Sequence, residues 1–299
     1  MSVGYCNPTY VDSLRHVGEP VRLKACGGWL LRRSIARSPL YDYVGPYPLF
    51  FCARWPALAK DVMELRNAGA VSITIVPDPF GGYSHKLLES AFDVVRMVKQ
   101  RSVVDLKNDL TRIVSSHHQR RAARGLRRIQ VERCADPRQY ADDWTRCYRA
   151  FATERRMSGA ADLPARSLIE QLSMPGLLMY RASAEGQALG FSLWVVHNTS
   201  AYGHLAAYTD QGRQCGVAYA FYWTILRELQ TLGVERVDLG GGLEDGDGLA
   251  AWKAGWTPES VPSLLCGAIL RPAEYGELTR ERGVANTSYF PSYRAPEPR

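Results

Sequence analysis

A glycine turn between three strand patterns and an apolar helix pattern constrains the fold of this chain most strongly. Three segments alternate as β-strands: Leu177 to Ala184, Ala188 to His197 and Ser200 to Tyr208. The turn Arg213-x-x-Gly216-x-Ala218 follows and opens a helix pattern from Val217 to Leu232, with apolar residues every three or four positions. Arg236 to Leu239 is the next predicted strand. This order predicts an α+β fold with mixed, mostly antiparallel sheets flanked by helices.

The turn around Gly216 also predicts a binding site. A turn of small residues at the start of a helix exposes unpaired backbone N–H groups at the positive end of the helix dipole. Such a helix end holds a phosphate or pyrophosphate at little energetic cost. The turn therefore indicates an acyl donor that is carried on a phosphorylated handle.

Positive charge is concentrated in one segment of a chain whose net charge is +7. Between Leu110 and Val131 the sequence contains arginines and two histidines but no carboxylate. Arginine forks bind phosphate oxygens in pairs, so this helix pattern is a candidate site for a polyanion. The alternative is a solvated helix face that pairs with acidic loops elsewhere. The predicted phosphate-binding residues are Arg120, Arg121, Arg124, Arg127 and Arg128.

Length and composition indicate a soluble protein of two domains. The 299 residues, 46% of them apolar, suffice for two cores, and the predicted boundaries give domains 1–108 and 109–272 and a tail 273–299. The seven cysteines are an odd number and widely spread, so we expect no disulfide framework. They contain no CxxC pair, and His117-His118 lacks partners at ligand spacing, so we expect no metal site either. No signal peptide or membrane span is recognisable, which favours a cytoplasmic protein without membrane insertion.

The first half alternates less clearly. Strands are predicted at Gly28 to Arg33, Leu49 to Arg54 and Val71 to Val76, and helices at Ala57 to Asn67 and Lys86 to Gln100. The polar, Pro-rich stretch from Asn286 onward is expected to lie on the surface or fray.

Several motifs together resemble two related families. The turn Arg213-x-x-Gly216-x-Ala218 resembles the Gln/Arg-x-x-Gly-x-Gly/Ala turn with which GNAT acyltransferases hold the pyrophosphate of acyl-coenzyme A. A longer set of motifs resembles the Fem family of aminoacyl-tRNA-dependent transferases, which build peptidoglycan bridges and have relatives in peptide-antibiotic pathways. That set comprises Tyr41-Asp-Tyr43-Val-Gly45-Pro46, Arg120-Arg121-Ala-Ala-Arg124-Gly125, Thr153-Glu-Arg155, the Trp223 helix, Asp238-Leu-Gly240-Gly241 and Trp252-Lys253-x-Gly255-Trp256. The resemblance implies two tandem GNAT-like domains, here without the coiled-coil arm of some members.

The resemblance also implies a catalytic lysine. Amide formation from an activated ester needs positive charge or N–H donors at the oxygen of the tetrahedral intermediate. The lysine of the family's aromatic-Lys pair has this task, and it corresponds to Lys253, with Trp252 packing against the base or ribose of the donor. The alternative is an exposed lysine beside tryptophans, Trp252 and Trp256, that only anchor the core.

Three further groups are candidates for the site. Gly240 and Gly241 follow the strand end at Asp238 and let the backbone approach the donor closely. Asp238 is a candidate catalytic residue that could instead orient a neighbour. His204 could accept the amine proton, or be a structural residue of a strand. The acidic run 244–247 could bind an amine, or be a solvated loop.

Two enzymatic functions remain open. The arginines and Trp252-Lys253 favour transfer from aminoacyl-tRNA to a small amine or peptide acceptor, in antibiotic or cell-wall precursor biosynthesis. The Gly216 turn favours an acyl-coenzyme A-dependent N-acyltransferase. In both cases the donor is a co-substrate, no cofactor is permanently bound and the protein is expected to be a monomer. Tyr43 and Tyr47 are the candidate acceptor-binding residues. An inactive RNA-binding module is the third interpretation.

Overall fold

The computed structural model describes residues 3–157, 159, 162–242, 248–283 and 288–296. The chain forms two compact units: unit 1 comprises residues 1–13 and 99–262, and unit 2 comprises residues 14–98 and 263–299. Both units are discontinuous, because the first residues fold with the later part of the chain and the last residues with the earlier part. They therefore differ from the continuous domains predicted at 1–108 and 109–272 and from the separate tail 273–299.

The secondary structure alternates along the chain. The strands are β1 (Glu19–Arg22), β2 (Trp29–Ser34), β3 (Tyr41–Val44), β4 (Ser72–Ile75), β5 (Val94–Asp105), β6 (Gln130–Arg133), β7 (Leu177–Ala184), β8 (Gln187–His197), β9 (Ser200–Tyr208), β10 (Arg236–Asp238) and β11 (Ser260–Ile269). The helices are α1 (Pro8–Ser13), α2 (Leu58–Asn67), α3 (His85–Ala91), α4 (Leu110–Ile113), α5 (Ser116–Leu126), α6 (Ala141–Glu154), α7 (Ala165–Gln171), α8 (Asp210–Cys215), α9 (Val217–Thr231), α10 (Gly248–Ala254) and α11 (Pro272–Arg282).

Unit 1 is built on a mixed sheet. Strands β6, β7, β8 and β9 pair antiparallel in sequence order, β10 pairs parallel with β9, and β5 pairs antiparallel with β10. The connection between the two parallel strands is made by α8 and α9. Phe221, Ile225 and Leu229 lie on one face of α9 at spacings of four and are fully buried in the core of the unit. Apolar periodicity in the sequence thus fixes which face of α9 covers the sheet.

Unit 2 repeats the same pairing scheme. Strands β1, β2 and β3 pair antiparallel, α2 connects β3 to the parallel strand β4, and β11 pairs antiparallel with β4. In both units an antiparallel series leads through a helix to a parallel strand, which then receives an antiparallel strand from a distant part of the chain. The predicted fold class is confirmed: the protein is α+β, with two tandem units of this pairing scheme and mostly antiparallel sheets flanked by helices.

Two predicted elements are wrong. Leu49 to Arg54 is not a strand; Phe50 forms only an isolated bridge to Pro77, and this apolar segment is buried as irregular chain. Lys86 to Gln100 is not one helix, because α3 ends at Ala91 and β5 begins at Val94. The valines of β5 are β-branched and favour a strand, although their spacing also fits a helix.

The described end of the chain is packed rather than frayed. Tyr293 is 7% exposed, and its hydroxyl lies 2.9 Å from Asp42 Oδ2 and 2.7 Å from Ser72 Oγ. Arg294 donates to both oxygens of the same Asp42. The expectation of a surface tail is therefore wrong for residues 290–295, because polar side chains of this segment satisfy a fully buried carboxylate.

Within the described ranges, the longest helix is α9 with 15 residues. No coiled-coil arm is formed by the helices of those ranges. None of them combines the length and apolar character needed to cross a membrane.

Candidate active site

A cavity of about 360 Å³ lies in unit 1 beyond the point where the pairing of two parallel strands ends. Strands β9 and β10 stay in register from Arg236 opposite Ser200 to Asp238 opposite Tyr202. There β10 ends, while β9 continues to Tyr208. The cavity is lined by residues of α6, β8, β9, α9 and α10 and by the residue after β10: Phe151, Ser192, Leu193, Trp194, Gly203, His204, Leu205, Ala206, Tyr208, Ala218, Tyr222, Leu239, Leu249, Trp252 and Lys253.

Lys253 supplies a cation to this cavity. It lies near the end of α10 and is only 7% exposed. Its Nζ donates a hydrogen bond of 2.7 Å to the Gly241 carbonyl oxygen. Because a buried ammonium interacts strongly with any negative charge that forms beside it, Lys253 is suited to stabilise an oxyanion. The alternative of an exposed lysine does not fit this burial.

Asp238 holds the glycine turn that follows β10. Its Oδ2 accepts hydrogen bonds from Arg101 Nε at 2.9 Å and Arg101 Nη2 at 2.6 Å. Its Oδ1 accepts the Gly240 N–H at 2.7 Å. Both partners are buried, with Asp238 1% and Arg101 7% exposed. Since both carboxylate oxygens are engaged, this geometry fits the interpretation in which Asp238 orients its neighbours rather than removes a proton.

The two glycines of the turn are required for different reasons. Gly240 has φ +76°, which L side chains rarely adopt, and a Cβ there would stand 3.2 Å from Lys253 Nζ. A Cβ on Gly241 would lie 2.6 Å from the Gln100 carbonyl oxygen. The turn can thus place a carbonyl oxygen against the lysine only because it carries no side chains. The acidic run 244–247 lies outside the described residues.

His204 lines the cavity with a neutral ring. Its Nε2 donates to Gln171 Oε1 at 2.9 Å, and its Nδ1 accepts from the Tyr5 hydroxyl at 3.1 Å. Burial lowers the pKa of His204 to about 3. A ring with both nitrogens engaged and so low a pKa accepts a proton poorly at neutral pH, so the geometry favours the structural alternative for His204.

Trp252 belongs to an aromatic cluster and also lines the cavity. Its ring centroid lies 4.7 Å from that of Tyr222 and 5.8 Å from that of Trp256. Trp256 is fully buried, whereas Trp252 is only partly buried. Trp256 is therefore a core anchor, and Trp252 packs against it while leaving part of its ring open to a ligand.

A second, basic cleft also borders the N-terminus of α9. It has a volume of about 240 Å³ and is lined by Arg121, Arg124, Gly125, Arg127, Arg128, Gln214, Cys215 and Gly216. Gly216 has φ +80° and joins α8 to α9. The structure thus brings together the arginine-rich helix and the glycine turn, which are far apart in sequence. All the lining arginines are exposed, and none pairs with a carboxylate of the described residues.

Two predicted donor contacts lie outside the cleft. Arg120 is exposed but does not line it. Arg213 donates to Glu154 Oε2 at 2.7 Å and forms a second ion pair with Asp210. Its guanidinium is therefore engaged by two carboxylates, which does not fit the predicted role of this side chain in donor binding. The spacing of Asp210 and Arg213 on one helix turn is a sequence signal for that pair.

Unit 2 carries the two tyrosines predicted to bind the acceptor. Tyr43 is 5% exposed in the core of the unit, where burial raises the pKa of its hydroxyl. Tyr47 is partly exposed. Of the two side chains, Tyr47 has the larger surface for a ligand.

Sequence reasoning missed Arg101 and Tyr222. Tyr222 lies one helical turn after Ala218 and lines the same cavity. Residues four positions apart lie on the same face of a helix, so this spacing in the sequence is the signal that could have identified Tyr222. Arg101 lies on β5, directly after the predicted helix Lys86 to Gln100, so no local pattern linked it to Asp238.

Comparison with known proteins agrees with this architecture. Residues 115–259 match the family Acetyltransf_6, described as an acetyltransferase (GNAT) domain. No curated protein matches the chain significantly.

Several solved structures share the fold over nearly the whole chain at low identity. FemX is 12% identical with a TM-score of 0.68, covering 90% of this chain and 93% of that one. The C-terminal domain of a putative lysylphosphatidylglycerol synthetase from Agrobacterium fabrum is 14% identical with a TM-score of 0.66, covering 93% and 92%. The L-PGS structure from Bacillus licheniformis is 11% identical with a TM-score of 0.63, covering 92% and 96%.

The parallel register of β9 and β10, the glycine-capped helix between them and the match of residues 115–259 agree with one another: this part of the chain is similar to the GNAT acetyltransferase domain family.

Proposed function

We propose that the protein is an N-acyltransferase that moves an amino acid from aminoacyl-tRNA to the amine of a small acceptor. One observation carries this proposal: the basic cleft and the lysine cavity adjoin the same helix N-terminus. Gly216 lines the cleft and Ala218 lines the cavity. Two residues span at most about 7 Å of backbone. A single donor can therefore place phosphates in the cleft and its ester in the cavity.

The chemistry at the cavity follows from the charge of Lys253. The neutral acceptor amine attacks the ester carbonyl carbon, a C–N bond forms and negative charge develops on the carbonyl oxygen. The Lys253 ammonium stabilises that charge, and its hydrogen bond to the Gly241 carbonyl oxygen holds the ammonium in place. The C–O bond to the ribose then breaks. The amine gives up one proton and the ribose oxygen gains one, so the products are an amide and uncharged tRNA.

The arginine cleft favours tRNA over coenzyme A as the donor. Its four arginines are exposed and lack carboxylate partners among the described residues, and Arg120 extends the basic surface on the same helix. A nucleic acid with several phosphates matches such a surface better than one pyrophosphate does. The partly open ring of Trp252 provides a stacking surface for the terminal adenosine, worth about 1–3 kcal/mol.

Acyl-coenzyme A is the second candidate donor, and the Gly216 turn favours it. Gly216, with φ +80°, lines the cleft and is the N-cap of the 15-residue helix α9, and the N-terminus of a helix is a favourable place for a phosphate. Arg213 does not add to this site, because Glu154 and Asp210 hold its guanidinium.

The donor can be identified by a charge-reversal experiment. Labelled amino acids are followed from a charged tRNA pool, and labelled acyl groups from acyl-coenzyme A, into a panel of amines. We expect transfer from tRNA, and we expect the double variant Arg121→Glu/Arg124→Glu to lose it. The control is Arg149→Glu/Arg227→Glu, which makes the same charge change at exposed arginines outside the cleft.

Salt dependence supplies the second readout of that experiment. Each phosphate contact contributes about 0.7–0.9 to the slope of log affinity against log salt, so the cleft variant should lower the slope for tRNA by about 2. Transfer only from acyl-coenzyme A, or equal tRNA affinity and slope in both double variants, would contradict the tRNA proposal.

The acceptor is proposed to be a small amine or peptide from antibiotic or cell-wall precursor biosynthesis, with Tyr47 as a contact. Mass spectrometry of the products formed with candidate amines tests this. If a Tyr47→Ala variant has an unchanged KM for the acceptor identified in this way, Tyr47 is not part of its site.

A further inference from the structure

Helix α10, which carries Lys253, is too short to hold itself in place. It has seven residues, and Lys253 lies in its last turn. Helices shorter than about 12 residues are marginal in water, so their geometry depends on the contacts of their ends. The position of the Lys253 ammonium is therefore set by whatever anchors the end of α10.

That end is anchored by residues at the start of α5. His118 Nε2 donates to the Trp252 carbonyl oxygen at 2.9 Å, and the Ser115 N–H donates to the Gly255 carbonyl oxygen at 2.9 Å. The Ser115 hydroxyl lies 3.0 Å from His118 Nδ1, so a donated O–H there leaves the ring proton on Nε2. His118 is 6% exposed, and burial lowers its pKa, which keeps the ring neutral.

Packing fixes the same ring sterically. The His118 centroid lies 5.1 Å from Trp256 and 5.9 Å from Trp252. A Cβ on Gly255 would stand 2.0 Å from His118 Cε1, a distance that no folded protein tolerates. The glycine after α10 thus makes room for this imidazole.

We infer that His118 is a positioning residue that fixes α10, and through it Lys253, for the acyl transfer. The inference rests on the proposed function. The buried residues of α5, His118, Ala122 and Gly125, recur at spacings of four and three, while Arg121 and Arg124 point to the cleft. One helix therefore joins the donor's phosphate site to the anchor of the lysine.

Two variants separate the hydrogen bond from the shape of the ring. His118→Phe keeps a ring but has no donor, whereas His118→Gln retains an amide N–H at the end of its side chain. A displacement of about 1 Å at a reacting group can cost about 100-fold in rate, so we expect kcat of His118→Phe to fall about 10- to 100-fold with little change in the donor KM. We expect partial recovery in His118→Gln. His117→Gln, at the exposed neighbour, is the matched control.

Gly255→Ala tests the same contact from the other side. The added methyl group displaces the imidazole, so kcat should fall as in His118→Phe. In the double variant His118→Ala/Gly255→Ala the ring is absent and the methyl group fits, so its loss should be close to that of His118→Ala alone and smaller than the sum of the His118→Ala and Gly255→Ala losses.

Hydrogen exchange of residues 248–256 gives a readout that needs no substrate. His118→Phe and Gly255→Ala should raise exchange in this segment while that of α9 stays unchanged. Wild-type exchange there in both variants, or faster exchange with an unchanged kcat, would overturn the inference. A wild-type protein without transferase activity would refute the proposed function, whereas the exchange data would still decide whether His118 holds α10.

Discussion

The buried pair of Asp238 and Arg101 gives the sharpest stability prediction. Asp238→Asn removes the carboxylate charge that the Arg101 guanidinium, only 7% exposed, contacts through Nε and Nη2. Removing one partner of a buried ion pair costs about 3–5 kcal/mol, because the remaining charge loses that attraction while it stays desolvated. The asparagine side chain still offers an oxygen to the Gly240 N–H. The loss of unfolding free energy therefore measures the ion pair and not the hydrogen bond that holds the glycine turn.

The single variant Arg101→Met and the double variant Asp238→Asn/Arg101→Met complete a double-mutant cycle. The double variant removes both charges, so its loss of unfolding free energy should be smaller than the sum of the two single losses by about 2 kcal/mol or more. Guanidinium unfolding followed by tryptophan emission suits this test. Five of the seven tryptophans lie in unit 1, as Asp238 and Arg101 do, and only Trp29 and Trp55 lie in unit 2, so the emission mainly reports the unfolding of unit 1. A loss below about 1 kcal/mol in Asp238→Asn, or additive single effects, would refute the reasoning.

The remaining predictions concern pH and the glycine turn. The folded-state pKa of His204 is depressed to about 3, so below about pH 6.5 the unfolded chain binds a proton that the folded chain does not, and stability should fall as pH drops from 6.5 towards 3. His204→Gln should reduce the slope of the unfolding free energy against pH in that range by up to about 1.4 kcal/mol per pH unit. A slope equal to that of the wild type would contradict this prediction. Gly216→Ala and Gly233→Ala, at φ +80° and +78°, should each cost about 1 kcal/mol in thermal unfolding. Only Gly216→Ala should raise the donor KM; equal kinetics in both variants would remove Gly216 from the donor site.

The sequence predicted the elements that carry strong local patterns. Strand β9 was predicted with the bounds it has, and α9 ends one residue before its prediction, because alternation and apolar spacing are properties of neighbouring residues. Strand β5 was predicted partly as a helix, since its valines fit both periods and its pairing partners come from distant segments.

The same difference between local patterns and distant contacts applies to the candidate site. Lys253 and the Gly216 turn were identified from motifs, and the structure places them at a cavity and a cleft that share one helix end. The partners that hold these groups could not be predicted. Arg101 and His118 act through residues more than a hundred positions away, and such pairing is decided by the tertiary fold.

In the proposed reaction, the Lys253 ammonium stabilises the oxyanion formed when an amine attacks an aminoacyl-tRNA ester. The most direct test is the single-turnover rate of transfer from charged tRNA in Lys253→Met. The control is Lys99→Met, since Lys99 donates to the same glycine turn at Gly242 but does not line the cavity. We predict that Lys253→Met slows transfer about 100- to 1000-fold with tRNA affinity unchanged, while Lys99→Met stays close to the wild-type rate. Transfer by Lys253→Met at the wild-type rate would contradict the account.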